Sequence, residues 1–306
     1  MINSVEEILA AAKQLPRKPR VVVEGAGYPT VLEAVCLAKV QGICEAILVG
    51  DKGQIEASAK QAELDISPFP IHHVSDPDRV VEESMRLIEE GRGDFPMKGK
   101  VMTHQVIRGM LDKRFSLRTG HLLCHVAVFN VPGEKRIMLL SDCGVVIQPD
   151  LEKKKTILRN TVHVAHALGL ECPKAALLSF IEEVTDPSIA ALADAAQITR
   201  LNQSGEISGC IVEGPYSLDV AMSPEAAKIK GAKGQVAGRA DILIMSDLGM
   251  GNVLYKSLML WPKPTAASVI VGARVPIAFS SRSESVENRV NCLALAALLW
   301  SRGAKG

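Results

Sequence analysis

The sequence predicts an α/β protein of two domains with largely parallel sheets flanked by helices, and three observations lead to this prediction. First, 306 residues with 47% hydrophobic content are enough to form about two cores. Second, short runs of β-branched residues alternate with segments of helical period along the chain. Third, the predicted strands end in residues rich in Gly, Ser, Asp and Asn, which is typical of the ligand-binding edge of a parallel sheet.

The predicted elements of the N-terminal part alternate between strand and helix. Pro29 just inside the first of these helices and Gly42 near its end are the expected boundary signals. A strand, a helix and a strand in this order predict a parallel crossover. The ranges are strands 20–25, 45–51 and 69–76 and helices 29–42 and 78–91.

The remainder of the chain predicts one hairpin followed by further alternation. Two apolar strands at 124–131 and 137–142 flank the segment PGEK, which is typical of a turn. A helix at 151–168 follows, with Asp150 as its N-cap. Further strands are predicted at 174–180, 209–214, 240–247, 267–273 and 276–280.

Composition argues against several classes of function. The net charge is +1 and aromatic residues make up 4%, so neither a basic surface nor stacking residues indicate nucleic-acid binding. The N-terminus lacks the pattern of a signal peptide, and the longest apolar run, VNCLALAALLW, is too short to span a bilayer. Seven cysteines without a CxxC pair indicate buried thiols in a reducing compartment. We therefore expect a cytoplasmic protein with no membrane or nucleic-acid partner.

The segment VVVEGAGYPT suggests a dinucleotide site but does not meet its requirements. Gly25 and Gly27 are present, but Thr30 stands where the third glycine is expected, and Glu24 would place a carboxylate near a pyrophosphate. A tight turn between strand and helix is the simpler interpretation.

A metal site is not predicted either. His163 and His166 lie three residues apart on a predicted helix, but neither a third ligand nor an HExxH motif accompanies them. We interpret them as histidines on a helix surface.

The segment SSRS at 280–283 joins the last predicted strand to the last predicted helix. Ser281 or Ser283 would serve as an N-cap. A cap does not require Arg282, however, and its charge opposes the helix dipole unless an anion is present. Backbone amides, hydroxyls and a guanidinium at one point are typical of a phosphate or carboxylate site. Capping and anion binding both remain open from these residues alone.

A second basic segment lies at 98–111. Lys98 and Lys100 precede a helix that starts at Thr103 and carries Arg108. An anion site is conceivable here too, but a capped, solvated amphipathic helix is the simpler interpretation.

Two glycine-containing segments, 213–231 and 236–256, follow predicted strands. The first places Asp219 in a loop just beyond a strand. The second ends a strand at Asp247, and two glycines then precede a helix and would let a ligand approach backbone amides. That helix carries Asn252, Tyr255 and Lys256.

The segments EGPYSLDVAMSPEAAKIKG, VAGRADILIMSDLGMGNVLYKSL and SSRSESVE occur in this order and together resemble the phosphate acetyl/butyryl transferase family. LRTGHLLCHVAVFNVPG at 117–133 resembles its phosphate butyryltransferase branch in particular. The resemblance runs from about residue 98 to the C-terminus, whereas the preceding residues share only the βαβ rhythm.

The resemblance implies the fold shared with isocitrate and isopropylmalate dehydrogenases, with the active site in the cleft between the domains. The first domain would comprise 1–114 plus 267–306, and the second 115–266. The implied activity is reversible transfer of a short-chain acyl group, butyryl or branched-chain favoured, between coenzyme A and inorganic phosphate by direct attack in a ternary complex. Acyl-CoA, phosphate and acyl phosphate would be substrates, no cofactor would be bound, and a homodimer or larger homo-oligomer is expected.

The resemblance assigns the catalytic role to Ser281 and Arg282. The reaction needs a cation to hold phosphate and a donor for the oxyanion at the acyl carbon, which a serine–arginine pair would supply. Arg108 matches a substrate-binding arginine of the family. The full set of substrate-binding candidates is Thr103, Arg108, Asp219, Asp247, Asn252 and Lys256.

Two positions depart from the family pattern. Phosphotransacetylases have an aspartate, proposed as the base for the thiol, where this chain has Asn288. Glu284 and Glu287 lie nearby, and Glu287 is the catalytic candidate, although both also fit ordinary acids in the first turn of a helix. Glu213 stands where the family usually has aspartate, and its additional methylene could reshape the end of the strand.

Two alternatives share the fold. An acyl-phosphate-handling subunit of a larger reductase complex would need a partner protein and would show little activity alone. An NAD-dependent decarboxylating dehydrogenase would need clustered metal ligands. Its scattered candidates, Asp142, Asp219 and Asp247, form no DxxxD pair on one helix.

Overall fold

The computed structural model describes residues 1–260 and 265–303. The chain forms two compact units. The split unit consists of Val5–Leu123 and Ala266–Gly306, and the middle unit consists of Cys124–Thr265 together with Met1–Ser4. Each unit contains helices and a mostly parallel set of strands, so the predicted α/β fold class is confirmed.

The elements of the described residues are numbered in chain order. The strands are β1 (Arg20–Glu24), β2 (Glu45–Gly50), β3 (Ile71–His73), β4 (Phe95–Lys98), β5 (Cys124–Asn130), β6 (Ile137–Ser141), β7 (Lys174–Leu178), β8 (Ile211–Tyr216), β9 (Ile242–Ile244), β10 (Ala266–Val271) and β11 (Ile277–Ala278). The helices are α1 (Val5–Lys13), α2 (Pro29–Val40), α3 (Lys52–Gln61), α4 (Val80–Glu89), α5 (Thr103–Met110), α6 (Leu151–Ala167), α7 (Ala190–Gln203), α8 (Leu218–Met222), α9 (Pro224–Ile229), α10 (Leu248–Leu260) and α11 (Val286–Ser301).

In the split unit the strand order is β3-β2-β1-β4-β11-β10. The first five strands of this order run parallel to their neighbours, and β10 pairs antiparallel with β11. The central strands are buried almost throughout, as expected for a parallel sheet covered on both faces. Helix α11 is buried from Asn288 to Leu299 and packs against α1, α2 and β10.

Strand β4 is not among the strands that the sequence predicts. It has four residues and contains Pro96, so it offers neither an alternating pattern nor an uninterrupted β-branched run. Its pairing with β1 and β11 makes Lys98 the last residue of a buried strand. Lys98 is therefore buried, and the helix predicted to start at Thr103 follows it as α5.

In the middle unit the strand order is β5-β6-β9-β7-β8. Strands β5 and β6 form the predicted antiparallel hairpin around PGEK, and the remaining neighbours are parallel. Helix α6 begins as predicted, because the side chain of Asp150 accepts a hydrogen bond from the backbone N–H of Lys153 over 2.9 Å.

Residues 115–123, which the sequence analysis places in the second domain, lie in the split unit. Hydrogen bonds tie them to the loop after β10. The backbone N–H of Arg274 donates to the carbonyl of Leu117 over 2.9 Å, and the hydroxyl of Thr119 donates to the carbonyl of Gly272 over 2.5 Å.

Candidate active site

The carboxyl ends of three adjacent parallel strands meet at one edge of the split unit. Glu24 at the end of β1 is directly paired with Lys98 at the end of β4. Ala278 of β11 is paired with Met97, so the segment that follows β11 leaves the sheet beside Lys98. Ligands of parallel sheets bind beyond such edges. The sequence pattern therefore predicts a functional region at this edge, and the structure brings Glu24, Lys98 and the SSRS segment to it.

The last helix starts later than the sequence suggests. Its N-cap is Ser285, whose hydroxyl accepts a hydrogen bond from the backbone N–H of Asn288 over 3.2 Å. Ser281 and Ser283 do not cap it, and their hydroxyl oxygens lie 3.3 Å from each other. The interpretation of either serine as the cap is wrong, because a turn separates β11 from the helix. The segment 280–284 is called the Ser–Arg turn below.

Two buried charged side chains hold the Ser–Arg turn. The Arg289 guanidinium donates from Nη1 to the hydroxyl of Ser280 over 2.7 Å, and from Nη2 to the carbonyls of Ser281 and Arg282 over 3.1 Å each. The carboxylate of Glu284 accepts the backbone N–H of Ser281 over 2.6 Å. Glu284 is thus a buried part of the turn and not an acid in the first turn of the helix. Three of these hydrogen bonds therefore hold the backbone of Ser281 and Arg282, and the fourth holds the Ser280 side chain.

The Arg282 side chain is exposed and has a weak partner. Its Nη2 lies 2.7 Å from the thioether sulfur of Met102, the residue before α5. Among residues 1–260 and 265–303, no carboxylate lies within 4.0 Å of this guanidinium. Thioether sulfur is a poor acceptor, whereas carboxylate and phosphate oxygens accept bidentate bonds from arginine. The guanidinium is therefore available to an anionic ligand.

Glu24 and Lys98 form a buried pair of ionisable groups beside the Ser–Arg turn. Glu24 is 0% exposed, and within the described part of the chain its carboxylate oxygens have no hydrogen-bond partner. Burial raises its pKa to about 8, an effect that the positive charge of Lys98 partly offsets. Burial also lowers the pKa of Lys98, and the guanidinium groups of Arg282 and Arg289 lower it further. The site is therefore rich in cations, and its deepest acid is largely neutral at pH 7.

The remaining candidates of the split unit lie on α5 and α11. Thr103 is the first residue of α5, and Arg108 is exposed on the same helix. In the described residues, Arg108 has no hydrogen-bond or ion-pair partner. Glu287 is exposed in the first turn of α11. The side chain of Asn288 is buried, and its amide oxygen accepts the backbone N–H of Ala266 over 3.1 Å, so this side chain fastens β10 to α11.

In the middle unit, Asp219 takes part in a surface network. Ser217 donates to its Oδ1 over 2.5 Å, and Lys230 forms an ion pair with its Oδ2 over 3.0 Å. The Ser217 hydroxyl and the Lys230 ammonium, through their hydrogen bonds, lower the pKa of Asp219 to about 2. Glu182 joins the same network through Ser217 and Lys230. Asp219 is thus ionised and already paired.

Asp247, Asn252 and Lys256 lie at the start and along the length of α10. Asp247 accepts the backbone N–H of Met250 over 3.0 Å, a capping contact that is the first cause of its lowered pKa. Asn252 donates to the carbonyl of Cys143 over 3.2 Å. Lys256 places its Nζ 5.8 Å from the ring centroid of Tyr255. Asp247 and Asn252 therefore have local structural partners, and Asn252 ties α10 to the loop after β6.

Glu213 has a structural role, and its side chain, one methylene longer than aspartate, reaches three hydrogen-bond donors. Its two carboxylate oxygens accept the backbone N–H groups of Gln235 and Val236 over 2.8 and 3.0 Å. The hydroxyl of Tyr216 donates to the same carboxylate over 3.0 Å. This carboxylate therefore closes the loop before β9 onto β8.

Three buried residues that shape these regions are not among the predicted residues of the transferase site, and one of them is Asp142, directly after β6. Its carboxylate accepts the backbone N–H groups of His125, Gly144 and Val145 over 2.7 to 2.8 Å. Burial raises the pKa of Asp142 despite these donors. The other two are Glu24 and Arg289. The segment SDCG predicts a strand-end site but not these contacts, and Arg289 has no sequence signal beyond its place in the helix.

The described residues contain no group of three or more His, Cys, Asp or Glu side chains arranged to hold a metal ion. His163 and His166 lie on α6, and a ring nitrogen of His166 is 2.7 Å from the carbonyl of Gly209. In the same part of the chain, no helix is long and apolar enough to cross a bilayer.

The chain is similar to proteins of one family over nearly its whole length. A family model described as phosphate acetyl/butaryl transferase matches residues 78–297. The phosphate butyryltransferase of Clostridium beijerinckii is 40% identical over 302 residues, which cover 99% of each chain. The phosphate acetyltransferase of Thermotoga maritima is 36% identical over 296 residues, which cover 96% of this chain and 99% of that protein.

Solved structures show the same similarity. A branched-chain phosphotransacylase from Enterococcus faecalis matches with a TM-score of 0.80 at 30% identity, covering 92% of this chain and 99% of that chain. A 4-hydroxythreonine-4-phosphate dehydrogenase from Klebsiella pneumoniae matches with a TM-score of 0.56 at 10% identity, over 93% of this chain and 100% of that chain. The second similarity is one of fold alone.

Proposed function

Because the chain belongs to the phosphate acetyl/butaryl transferase family, we propose that it catalyses reversible transfer of a short-chain acyl group between coenzyme A and inorganic phosphate. Relatives named phosphate butyryltransferase and phosphate acetyltransferase, each more than a third identical over nearly the full chain, support this activity. The enzyme class is thus an acyltransferase, and acyl-CoA and phosphate are its substrates.

The chemistry is a direct displacement at the acyl carbon. A phosphate oxygen attacks the thioester carbonyl, the C–S bond breaks, and acyl phosphate and coenzyme A thiol are formed. The proton on the attacking hydrogen phosphate is released, and the leaving sulfur gains one, so atoms and charge balance without a further reactant. A bound cation must hold the dianionic phosphate, and a hydrogen-bond donor must stabilise the oxyanion at the acyl carbon.

The observation that carries the proposal is the rigid Ser–Arg turn. Arg289 and Glu284 hold its backbone, and the turn carries Ser281 next in sequence to Arg282, whose exposed guanidinium has no carboxylate partner in the described structure. A preorganised donor and cation cost no rearrangement during the reaction, which is the main source of electrostatic catalysis. In this proposal Arg282 binds phosphate and Ser281 donates to the developing oxyanion.

The other predicted site residues have supporting roles in the proposal. Glu287 accepts the proton displaced during acyl transfer, and Thr103 and Arg108 contact coenzyme A or phosphate from α5. The candidates of the middle unit, Asp219, Asp247, Asn252 and Lys256, contact substrate as well. The proposed enzyme acts in the cytoplasm without a bound cofactor and forms a homodimer or larger homo-oligomer, which light scattering on the purified protein would test.

We favour butyryl and branched-chain acyl groups over acetyl. The relative of 40% identity is named a butyryltransferase, and the solved structure of 30% identity is named a branched-chain phosphotransacylase. One methylene in an apolar pocket discriminates by only about 1–3 kcal/mol, so several acyl groups are expected to react at different rates.

The test is thiol release from acetyl-, propionyl-, butyryl-, isobutyryl- and isovaleryl-CoA, with and without phosphate. Release should depend on phosphate and should be fastest with a four- or five-carbon acyl group. Ser281→Ala and Arg282→Ala should each lower kcat/KM by about a hundredfold or more.

Matched controls separate catalysis from folding. Ser208→Ala removes an exposed serine hydroxyl shortly before β8, and Arg92→Ala removes an exposed arginine whose ion pair with Glu90 spans 3.4 Å. Both controls should keep wild-type rates. If no thioester releases thiol in a phosphate-dependent manner, the proposed transferase activity is wrong and the reductase-subunit hypothesis gains support.

A further inference from the structure

Lys98 is a buried residue whose ammonium group forms no hydrogen bond or ion pair with any residue that the structure describes. The residue is 5% exposed, and among the described residues it has no hydrogen-bond acceptor and no carboxylate within 4.0 Å. Its Nζ lies 6.0 Å from the ring centroid of Phe279, the first residue after β11. An ammonium with little access to water and no protein partner is costly, and proteins normally pair such a group.

The surroundings of Lys98 increase this cost. The guanidinium groups of Arg282 and Arg289 are close enough to act on its charge unfavourably. Glu24 and Glu284 act favourably, but Glu24 is neutral over much of the range below pH 8, and Glu284 accepts a bond from Ser281. Three cations therefore lie around the Ser–Arg turn, and the described chain supplies too little negative charge to balance them.

The backbone fixes Lys98 in this position. Gly99 follows it directly, and a Cβ at Gly99 would lie 2.5 Å from the carbonyl oxygen of Glu24 and 2.6 Å from that of Gly25. The chain can leave β4 so close to the end of β1 only because this residue has no side chain. Met102, four residues beyond Lys98, then contacts Arg282. The segment 98–102 thus runs along the Ser–Arg turn.

We propose that Lys98 is a phosphate-binding residue of this enzyme, and that its ammonium binds the phosphate dianion together with the Arg282 guanidinium. The inference rests on the proposed transferase function and adds a substrate contact to it. A dianion satisfies both cations at once, which no side chain of the described structure does. Glu24 assists because its neutral carboxyl group leaves the ammonium free for the substrate.

The experiment compares Lys98→Met with Lys100→Met. Methionine keeps the length and apolar character of the lysine stem without the charge. Lys100 is exposed two residues away, with its Nζ 5.4 Å from the ring centroid of Tyr28, and so provides a matched control. The measured quantities are KM for phosphate, KM for acyl-CoA and kcat. Lys98→Met should raise KM for phosphate about tenfold or more and leave KM for acyl-CoA unchanged, because a charge-assisted hydrogen bond is lost. Lys100→Met should change neither of the two KM values.

A second measurement uses the wild-type protein, so that misfolding of the variant cannot hide the answer. Lysines are labelled with limiting acetic anhydride, with and without inorganic phosphate, and each lysine is quantified by peptide mass spectrometry. Phosphate should slow acetylation of Lys98 and leave acetylation of Lys100 unchanged.

The outcomes are distinct from those that test the proposed function. An unchanged KM for phosphate in Lys98→Met, or an equal rise in both KM values, would overturn the inference while the transferase activity of the wild type still stood. Acetylation of Lys98 at the same rate with and without phosphate would overturn it as well. Absence of phosphate-dependent thiol release in the wild type would instead reject the transferase, whatever the labelling shows.

Discussion

Arg289 donates to the hydroxyl of Ser280 over 2.7 Å, and this bond joins the second turn of the last helix to the residue that opens the Ser–Arg turn. The same guanidinium reaches the next two carbonyls, so one buried side chain fixes three consecutive residues. The proposed catalytic groups therefore depend on a residue that need not touch substrate.

Arg289→Lys is expected to lower kcat about tenfold or more, because lysine lacks the planar fork that reaches a hydroxyl and two carbonyls together. Steady-state kinetics measure kcat, and thermal unfolding shows whether the variant is still folded. Arg302→Lys, at the end of the same helix, serves as the control and should behave as wild type. An unchanged kcat in Arg289→Lys would show that the turn keeps its geometry without the fork.

Glu24→Gln is expected to change how stability depends on pH. The pKa of Glu24 is about 8 in the folded protein and has its ordinary value of 4.5 when the chain unfolds. Between these values the folded state holds a proton that the unfolded state has lost, so the wild-type free energy of unfolding falls as pH rises from about 4.5 to about 8. Glutamine does not titrate. The variant should therefore gain stability relative to wild type across this window, by a total of about a few kcal/mol.

Urea unfolding of both proteins at intervals from pH 5 to pH 9 measures this difference. The two stability curves should lie closest at the acid end and separate towards pH 8. Parallel curves over the whole range would contradict a buried, neutral Glu24.

Glu213→Asp restores the residue usual in the family but should destabilise this chain. The shorter side chain cannot reach the N–H groups of Gln235 and Val236 and the hydroxyl of Tyr216 together. The loss is expected to be about 1–3 kcal/mol, because hydrogen bonds to a charged, half-buried carboxylate are lost. Urea unfolding tests this loss, with Glu206→Asp as control, since within the described residues the Glu206 side chain accepts one hydrogen bond, of 3.1 Å, from the hydroxyl of Ser204. Equal midpoints for Glu213→Asp and wild type would count against this role.

Glu287→Gln tests the proposed proton acceptor. If Glu287 accepts the proton, the variant should lose about a hundredfold in kcat, because general acid–base catalysis contributes at least that much. Glu152→Gln is the matched control, since Glu152 also lies in the first turn of a helix, α6. If Glu287→Gln keeps the wild-type kcat, Glu287 is not the proton acceptor and another group takes that role.

The sequence predicts much of the element order because apolar periodicity and Gly and Pro boundaries are local signals. Helix α2, the β5–β6 hairpin and the Asp150 cap are examples. For the SSRS segment the residues alone leave capping and anion binding open, and the catalytic role of Ser281 and Arg282 is a prediction from the family resemblance. These inferences need no knowledge of distant contacts.

The remaining site features depend on contacts between distant segments. Of the four serines in SSRSES, the sequence favours Ser281 or Ser283 as the cap, and only the path of the chain after β11 selects Ser285. Lys98 and Glu24 are 74 positions apart, and their pairing follows from the register of β4 with β1. Periodicity could not predict this register, because β4 is short and contains proline.

The split unit also has a consequence for the newly made chain. Its sheet and its helices α1 and α2 are covered by α11, which the ribosome makes only after the whole segment 124–265. Until then the apolar surfaces of the first 123 residues lack their cover, whereas the middle unit already has all of its strands. Partly synthesised chains are therefore the form of this protein most exposed to aggregation and to chaperones. A chain that stops before residue 280 contains no Ser–Arg turn, so prematurely terminated products carry no proposed catalytic pair.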